Sequence, residues 1–220
     1  MLTSKQVMQE IVMLTSKVIA IGISEKENPP SITTANGFTD IGISGVKDIS
    51  IALKNMRYEE LYNALHEEKF YNFKFPDGGL VQLLYRYEGD EIRKHRLAYF
   101  PSPSFESFQN EAEVYMEDHM YAEVIDRRIL PVPVRFDFDC TEGVYEDLTH
   151  PKSHFTLGQY KNCRIPVCSP ISPFLFMDFI LRSFYNTAML NFSEQLDMKF
   201  TRFQETATPL EKDRIHLRIQ

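Results

Sequence analysis

Between Pro131 and Asp139 the chain alternates without a break: Val132, Val134, Phe136 and Phe138 are apolar, and Arg135, Asp137 and Asp139 are charged. A strand sends successive side chains to opposite faces, whereas a helix would scatter this pattern around its circumference, so the segment reads as a strand with one buried and one polar side. Ser153–Gly158 repeats the pattern, with Phe155 and Leu157 apolar and His154 and Thr156 polar. If the two strands pair across the connection from Cys140 to Lys152, their shared apolar face puts His154 and Thr156 on the side of Arg135, Asp137 and Asp139. A slip of one residue would turn the whole apolar set outward.

The remaining segments fit around that pair. Phe70–Phe75, Leu80–Tyr87 and Ile92–Phe100 are β-rich runs separated by Pro76-Asp77-Gly78-Gly79 and Glu88-Gly89-Asp90, turn chemistry that favours an antiparallel meander. Ser31–Ser44 reads as a weak hairpin turning at Asn36-Gly37. Residues 2–23 carry Val7, Met8, Ile11, Val12, Val18 and Ile19 at helical spacing behind a Thr3/Gln6 capping box. Arg57–Lys69 repeats helical spacing with Tyr58, Leu61, Tyr62 and Leu65. Pro173–Phe192 is apolar on nearly every face, which marks a buried helix whose aromatic residues fill a core. Residues 214–219 alternate again, with Ile215, Leu217 and Ile219 against Arg214, His216 and Arg218, as an edge strand would. The expected fold is α+β in a single domain, residues 1–220. An antiparallel curved sheet of about six to eight strands is packed on one face by the N-terminal helix 2–23 and the Phe-rich helix near 174–192, with helix 2–23 read as either a packing or a docking element.

Composition narrows the classes of function. A 220-residue chain that is 43% apolar, with 17 Phe and 11 Tyr, lies far from disorder and can build a core without disulfides or metal. Phe174–Leu181 is interrupted by Asp178 and is too short to span a bilayer, and the charged and apolar regions of a secretory signal are missing, so a cytoplasmic protein without a membrane contact is expected. Cys140, Cys163 and Cys168 lack metal or redox spacing and read as free thiols. The net charge of −7 equals the seven acids lying between Phe105 and Asp126, a stretch with no Lys or Arg. That stretch reads as a solvated segment or as an interaction face for a basic partner. The only dense cationic run, Arg93-Lys94-His95-Arg96, reads as a solvated strand face, leaving room for nucleic acid only in a local basic groove.

The candidate chemistry gathers at Asp137, Asp139, His154, Arg164, His150 and Arg135. Two carboxylates with a histidine and an arginine supply what metal-assisted or acid/base phosphodiester cleavage needs. Asp137 and Asp139 would hold Mg²⁺ or Mn²⁺, His154 would be a further ligand or base, and Arg135 or Arg164 would balance phosphate charge. The plainer reading is a solvated sheet face on which the aspartates pair with Arg135 or its neighbours. His150 and His154 are four apart, but Pro151 removes the helix that a zinc-binding pair of that spacing uses; on a strand and its approaching turn they could instead form a metal-free acid/base pair. Arg164, a lone cation beside Ile165-Pro166, calls for an anionic partner, with Asp137 or Asp139 the nearest candidates. The terminal cations Arg214, His216 and Arg218 could approach the same face.

The runs Pro133–Asp139, His150–Gly158, Arg164–Pro166 and Phe179–Tyr185 together resemble a bacterial family designated domain of unknown function 2290, mainly over residues 131–185. The resemblance implies a cytoplasmic bacterial protein of this length and transfers no catalytic residue. Small bacterial proteins of this kind are often accessory parts of mobile or anti-phage modules. The leading expectation is therefore a non-catalytic adaptor subunit of such a module, acting through protein–protein contact in a homo- or hetero-oligomer and needing no cofactor. The alternative is a toxin-like nuclease or phosphodiesterase built on the Asp/Asp/His/Arg cluster.

Overall fold

The computed structural model describes residues 2–43, 56–104, 121–125 and 132–219. Helix α1 (Ser4–Ala20) starts at the Thr3/Gln6 capping box and buries Val7, Ile11, Leu14 and Val18. The strands are β1 (Lys26–Glu27), β2 (Pro30–Ala35), β3 (Phe38–Ile43), β4 (Phe73–Lys74), β5 (Leu80–Glu88), β6 (Glu91–Phe100), β7 (Val134–Asp139), β8 (Ser153–Leu157) and β9 (Ile165–Pro166). Helix α2 (Tyr58–Glu67) precedes β4, and α3 (Pro173–Phe184), α4 (Asn186–Leu196) and α5 (Pro209–Lys212) follow β9. Among the described residues the strands form one curved, open sheet in the order β1-β4-β5-β6-β7-β8-β9, with the β2–β3 hairpin joined to the far end of β5. Every pairing is antiparallel. The architecture is the expected α+β.

One sheet face is the main core. Leu83, Tyr85, Leu97, Tyr99, Val134 and Phe136 meet the buried stripe of α1 and Phe174, Phe176, Met177, Ile180 and Leu181 of α3. Among the described residues the opposite face is covered at one end, where Leu61, Tyr62 and Leu65 of α2 pack on Leu80, Ala98 and Phe100. The N-terminal and Phe-rich helices share one face, as expected, and α2 lies on the other. At the other end of that second face stand the alternating charges of β6 and β7, partly exposed at Lys94, Arg96 and Arg135 and mostly enclosed at Asp137.

The Asn36-Gly37 turn takes left-handed angles at both residues, φ 53° and 82°, as a tight hairpin of this twist requires. Three segments depart from the sequence expectation. Phe70–Phe75 yields only the two residues of β4, because Phe70 and Tyr71 turn into the α2 cluster and the Asn72 side-chain oxygen accepts the Leu83 N–H at 2.7 Å in place of a backbone carbonyl. The apolar run 173–192 breaks at Tyr185 (φ −135°, ψ 51°), whose hydroxyl lies 2.9 Å from both Asp77 Oδ2 and Tyr99 Oη. Residues 214–219 make a single parallel bridge, Leu217 with Val167, and leave Ile215 88% exposed, so they do not form an edge strand. Of the acidic stretch 105–126, residues 105–120 and 126 lie outside the described residues, as does Pro131. No described helix is long and apolar enough to cross a membrane.

Candidate functional site

The site is assembled by strand register. In β7 and β8 Asp137 lies opposite His154 and Arg135 opposite Thr156. On the other side β6 places Arg96 opposite Asp137 and Lys94 opposite Asp139. Alternation along each strand then collects Lys94, Arg96, Arg135, Asp137, Asp139, His154 and Thr156 on one face. Sequence alternation in β7 and β8 was enough to place five of these together. Lys94 and Arg96 were hidden in the cationic run 93–96, which the pleat divides. His95 turns to the core, between the rings of Tyr85 and Phe138, and only its neighbours reach the polar face.

Asp137 is the hub. Arg96 Nε donates to Oδ1 at 3.1 Å, Arg135 Nε donates to Oδ2, and His154 Nε2 lies 3.8 Å from Oδ2. Burial works to raise this carboxyl, but the guanidiniums of Arg135 and Arg96, with His154, prevail and hold it below the ordinary aspartate range. Asp139 is more open and pairs with Lys94 at 2.9 Å while accepting the Thr141 N–H at 2.9 Å; burial opposes these contacts, and they keep its carboxyl low.

The His150–Pro151 turn folds back on β8. His154 Nδ1 sits 2.8 Å from the Pro151 carbonyl, which can only accept, so Nδ1 carries the proton and Nε2 of the neutral ring faces Asp137. His150 stacks edge-on to His154 with centroids 5.2 Å apart. Burial lowers the basicity of His154 more than Asp137 restores it, and burial together with Arg164 lowers that of His150. Both imidazoles thus give up a proton more readily than an ordinary histidine.

Arg164 is not the partner of either aspartate: Asp137 and Asp139 are taken by Arg96, Arg135 and Lys94, and among the described residues Arg164 forms no ion pair. Nor do the terminal cations enter the cluster, since Arg214, His216 and Arg218 form no ion pair with either carboxylate. A divalent cation would have to displace three paired cations from these carboxylates, and the described residues contain no group of three or more His, Cys, Asp and Glu placed to hold a metal. The donor set does not fit Mg²⁺ or Mn²⁺. What the arrangement offers is a surplus of positive charge: Lys94, Arg96, Arg135 and Arg164 against Asp137 and Asp139. Cys140, Cys163 and Cys168 are free thiols.

The family model described as an uncharacterized conserved protein (DUF2290) matches residues 23–219, and the chain belongs to that family. No curated protein and no solved structure matches the chain. The matched stretch begins after α1, although α1 supplies part of the main core.

Proposed function

We propose that this member of the DUF2290 family is a non-catalytic accessory subunit of a bacterial multi-protein module, acting in the cytoplasm by protein–protein contact, with anti-phage defence as the setting. The observation that carries this reading is on α1. Val12 and Ile19, seven residues apart and so on one side, are 45% and 51% exposed on a helix whose Val7, Ile11, Leu14 and Val18 stripe is completely buried, so the helix anchors itself with that stripe and offers apolar side chains on its flank. The polar cluster supports the same reading from the other direction, because both oxygens of Asp137 are engaged by arginine and His154 is only 4% exposed. Co-expression with the products of the neighbouring genes tests it. The chain is expected to co-purify at fixed stoichiometry with one of them, and Val12→Asp with Ile19→Asp to abolish that complex while the variant stays folded. A monodisperse monomer that holds none of those products overturns the reading.

A second reading, a metal-independent phosphodiesterase, is favoured by one observation: His154 Nε2 stands 3.8 Å from Asp137 Oδ2 within a cationic surface, on a ring whose other nitrogen meets the Pro151 carbonyl. It requires RNA or DNA cleavage by the purified chain in the presence of chelator, lost in Asp137→Ala/His154→Ala. Cleavage unchanged in that double variant removes the site from consideration.

A further inference from the structure

We propose that the open end of the polar sheet face binds one phosphate-type oxyanion, seated over the Thr156 hydroxyl between Arg135 and Arg164. The proposal is independent of the adaptor reading and invokes no catalysis.

Thr156 is the first observation. It is only 9% exposed, and its Oγ1 is a buried polar atom with no hydrogen-bond partner. A hydroxyl taken from water and left unmatched is unfavourable, and native structures rarely keep one without a ligand or solvent to meet it. The second observation is its flanks. Arg135 lies directly opposite Thr156 on β7. On the other side Phe155 pairs with Ile165 and His154 with Pro166, so the same register carried one step further sets Arg164 beside Thr156. Neighbouring strands are about 4.8 Å apart, so two arginines one strand to either side of a central residue bracket a single tetrahedral anion.

Charge agrees with this geometry. Arg135 spends Nε on Asp137, which leaves its terminal nitrogens to donate, and its side chain is 38% exposed. Arg164 forms no ion pair among the described residues, yet it lies close enough to His150 to depress that imidazole. Asp137 is shared between Arg96 and Arg135, and Asp139 is matched by Lys94. Among the described residues Arg164 is thus left over, and a bound oxyanion would supply both its counter-charge and the acceptor that the Thr156 hydroxyl lacks there. Guanidinium forks and a hydroxyl donor suit phosphate oxygens better than a planar carboxylate, which two arginines would saturate without the threonine.

The purified full-length chain is titrated calorimetrically with inorganic phosphate, with a nucleoside monophosphate and with a short oligonucleotide lacking terminal phosphates, all at matched ionic strength. Saturable one-to-one binding is expected for phosphate or the monophosphate, weakened roughly tenfold or more by Arg164→Gln and by Thr156→Val, with Lys212→Gln, a surface charge elsewhere, unchanged. A stronger response to the monophosphate than to phosphate identifies a phosphate ester as the ligand, and an equal response identifies the free ion. The proposal fails if neither small phosphate binds, if only the oligonucleotide binds, or if folded Arg164→Gln retains full affinity. Arg164→Gln breaks no ion pair among the described residues, so it keeps the test decisive should Thr156→Val fold poorly.

Discussion

His95 shows how far one residue can depart from the impression its neighbours give. It sits within four cationic residues, yet it is 4% exposed and its Nε2 accepts the Ile171 N–H at 3.1 Å, tying the centre of β6 to the segment that leads into α3. Burial overrides the nearby Asp137 carboxylate and pushes its pKa down to about 4. A base depressed in the folded state gives stability that is complete above its unfolded pKa of about 6.5 and is lost as pH falls toward 4. His150 and His154 are shifted in the same direction, whereas the carboxyls of Asp77 and Glu10, raised by burial, act in the opposite sense. The informative comparison is therefore between the protein and a single variant. In urea unfolding the protein is expected to lose on the order of 3 kcal/mol more between pH 7 and pH 4 than His95→Gln, which can still accept from Ile171 but has no proton to gain. Equal losses would mean that His95 is not the residue that titrates.

At the scale of elements, the break between α3 and α4 is the feature that local propensity does not foresee. No Pro or Gly stands in the run 174–192 to break it, but Tyr185 is fully buried with its ring edge-on to Phe75 and its hydroxyl on Asp77. Asp77 in turn accepts the backbone N–H of Gly79 and of Ala122, each at 2.9 Å, so one carboxyl joins a β-turn, the 121–125 segment and the helix break. Gly79 must be glycine there, because a Cβ would come within 2.7 Å of Tyr185 Oη and 2.9 Å of Tyr99 Cε2. Tyr185→Phe keeps the shape and removes only the hydroxyl. It is expected to lower stability by about 1–3 kcal/mol, the range for a buried polar group left unmatched, as measured by denaturant midpoint. A neutral result would mean that packing of the ring alone sets the break.

For the molecule as a whole, α1 decides where the folding unit begins. Val7, Ile11, Leu14 and Val18 are wholly buried in the main core, and Glu10 reaches across to Thr201 Oγ1 and the Phe174 N–H at the start of α3. Removing residues 1–22 leaves the stretch that matches the family but uncovers one side of the sheet. Four buried aliphatic side chains at about 1.5–3 kcal/mol each exceed the usual stability of a domain this size or come close to it. The truncated chain is expected to bind a hydrophobic dye and to lose its near-ultraviolet dichroism, and cooperative unfolding by chain 23–220 would show that α1 is an appendage.

Alternation by itself determined β7 and β8 and the side of the sheet on which Arg135, Asp137, Asp139, His154 and Thr156 stand, and β-rich runs between turns marked β5 and β6. A slip of one residue would turn the apolar set outward, but a slip of two keeps the face, so the pairing of Asp137 with His154 and of Arg135 with Thr156 came from the tertiary structure. Capping chemistry likewise fixed the start of α1, and Asn36-Gly37 fixed the first hairpin, since both are contacts within a few residues of chain. Only the tertiary structure decided what each polar group meets. Arg96 reaches Asp137 across 41 positions of sequence, Tyr185 reaches Asp77 across 108, and α2 covers one end of the second face, while Arg164 has no ion-pair partner among the described residues. Such choices depend on which strand becomes the neighbour and which helix covers it, and periodicity within a segment carries no information about either.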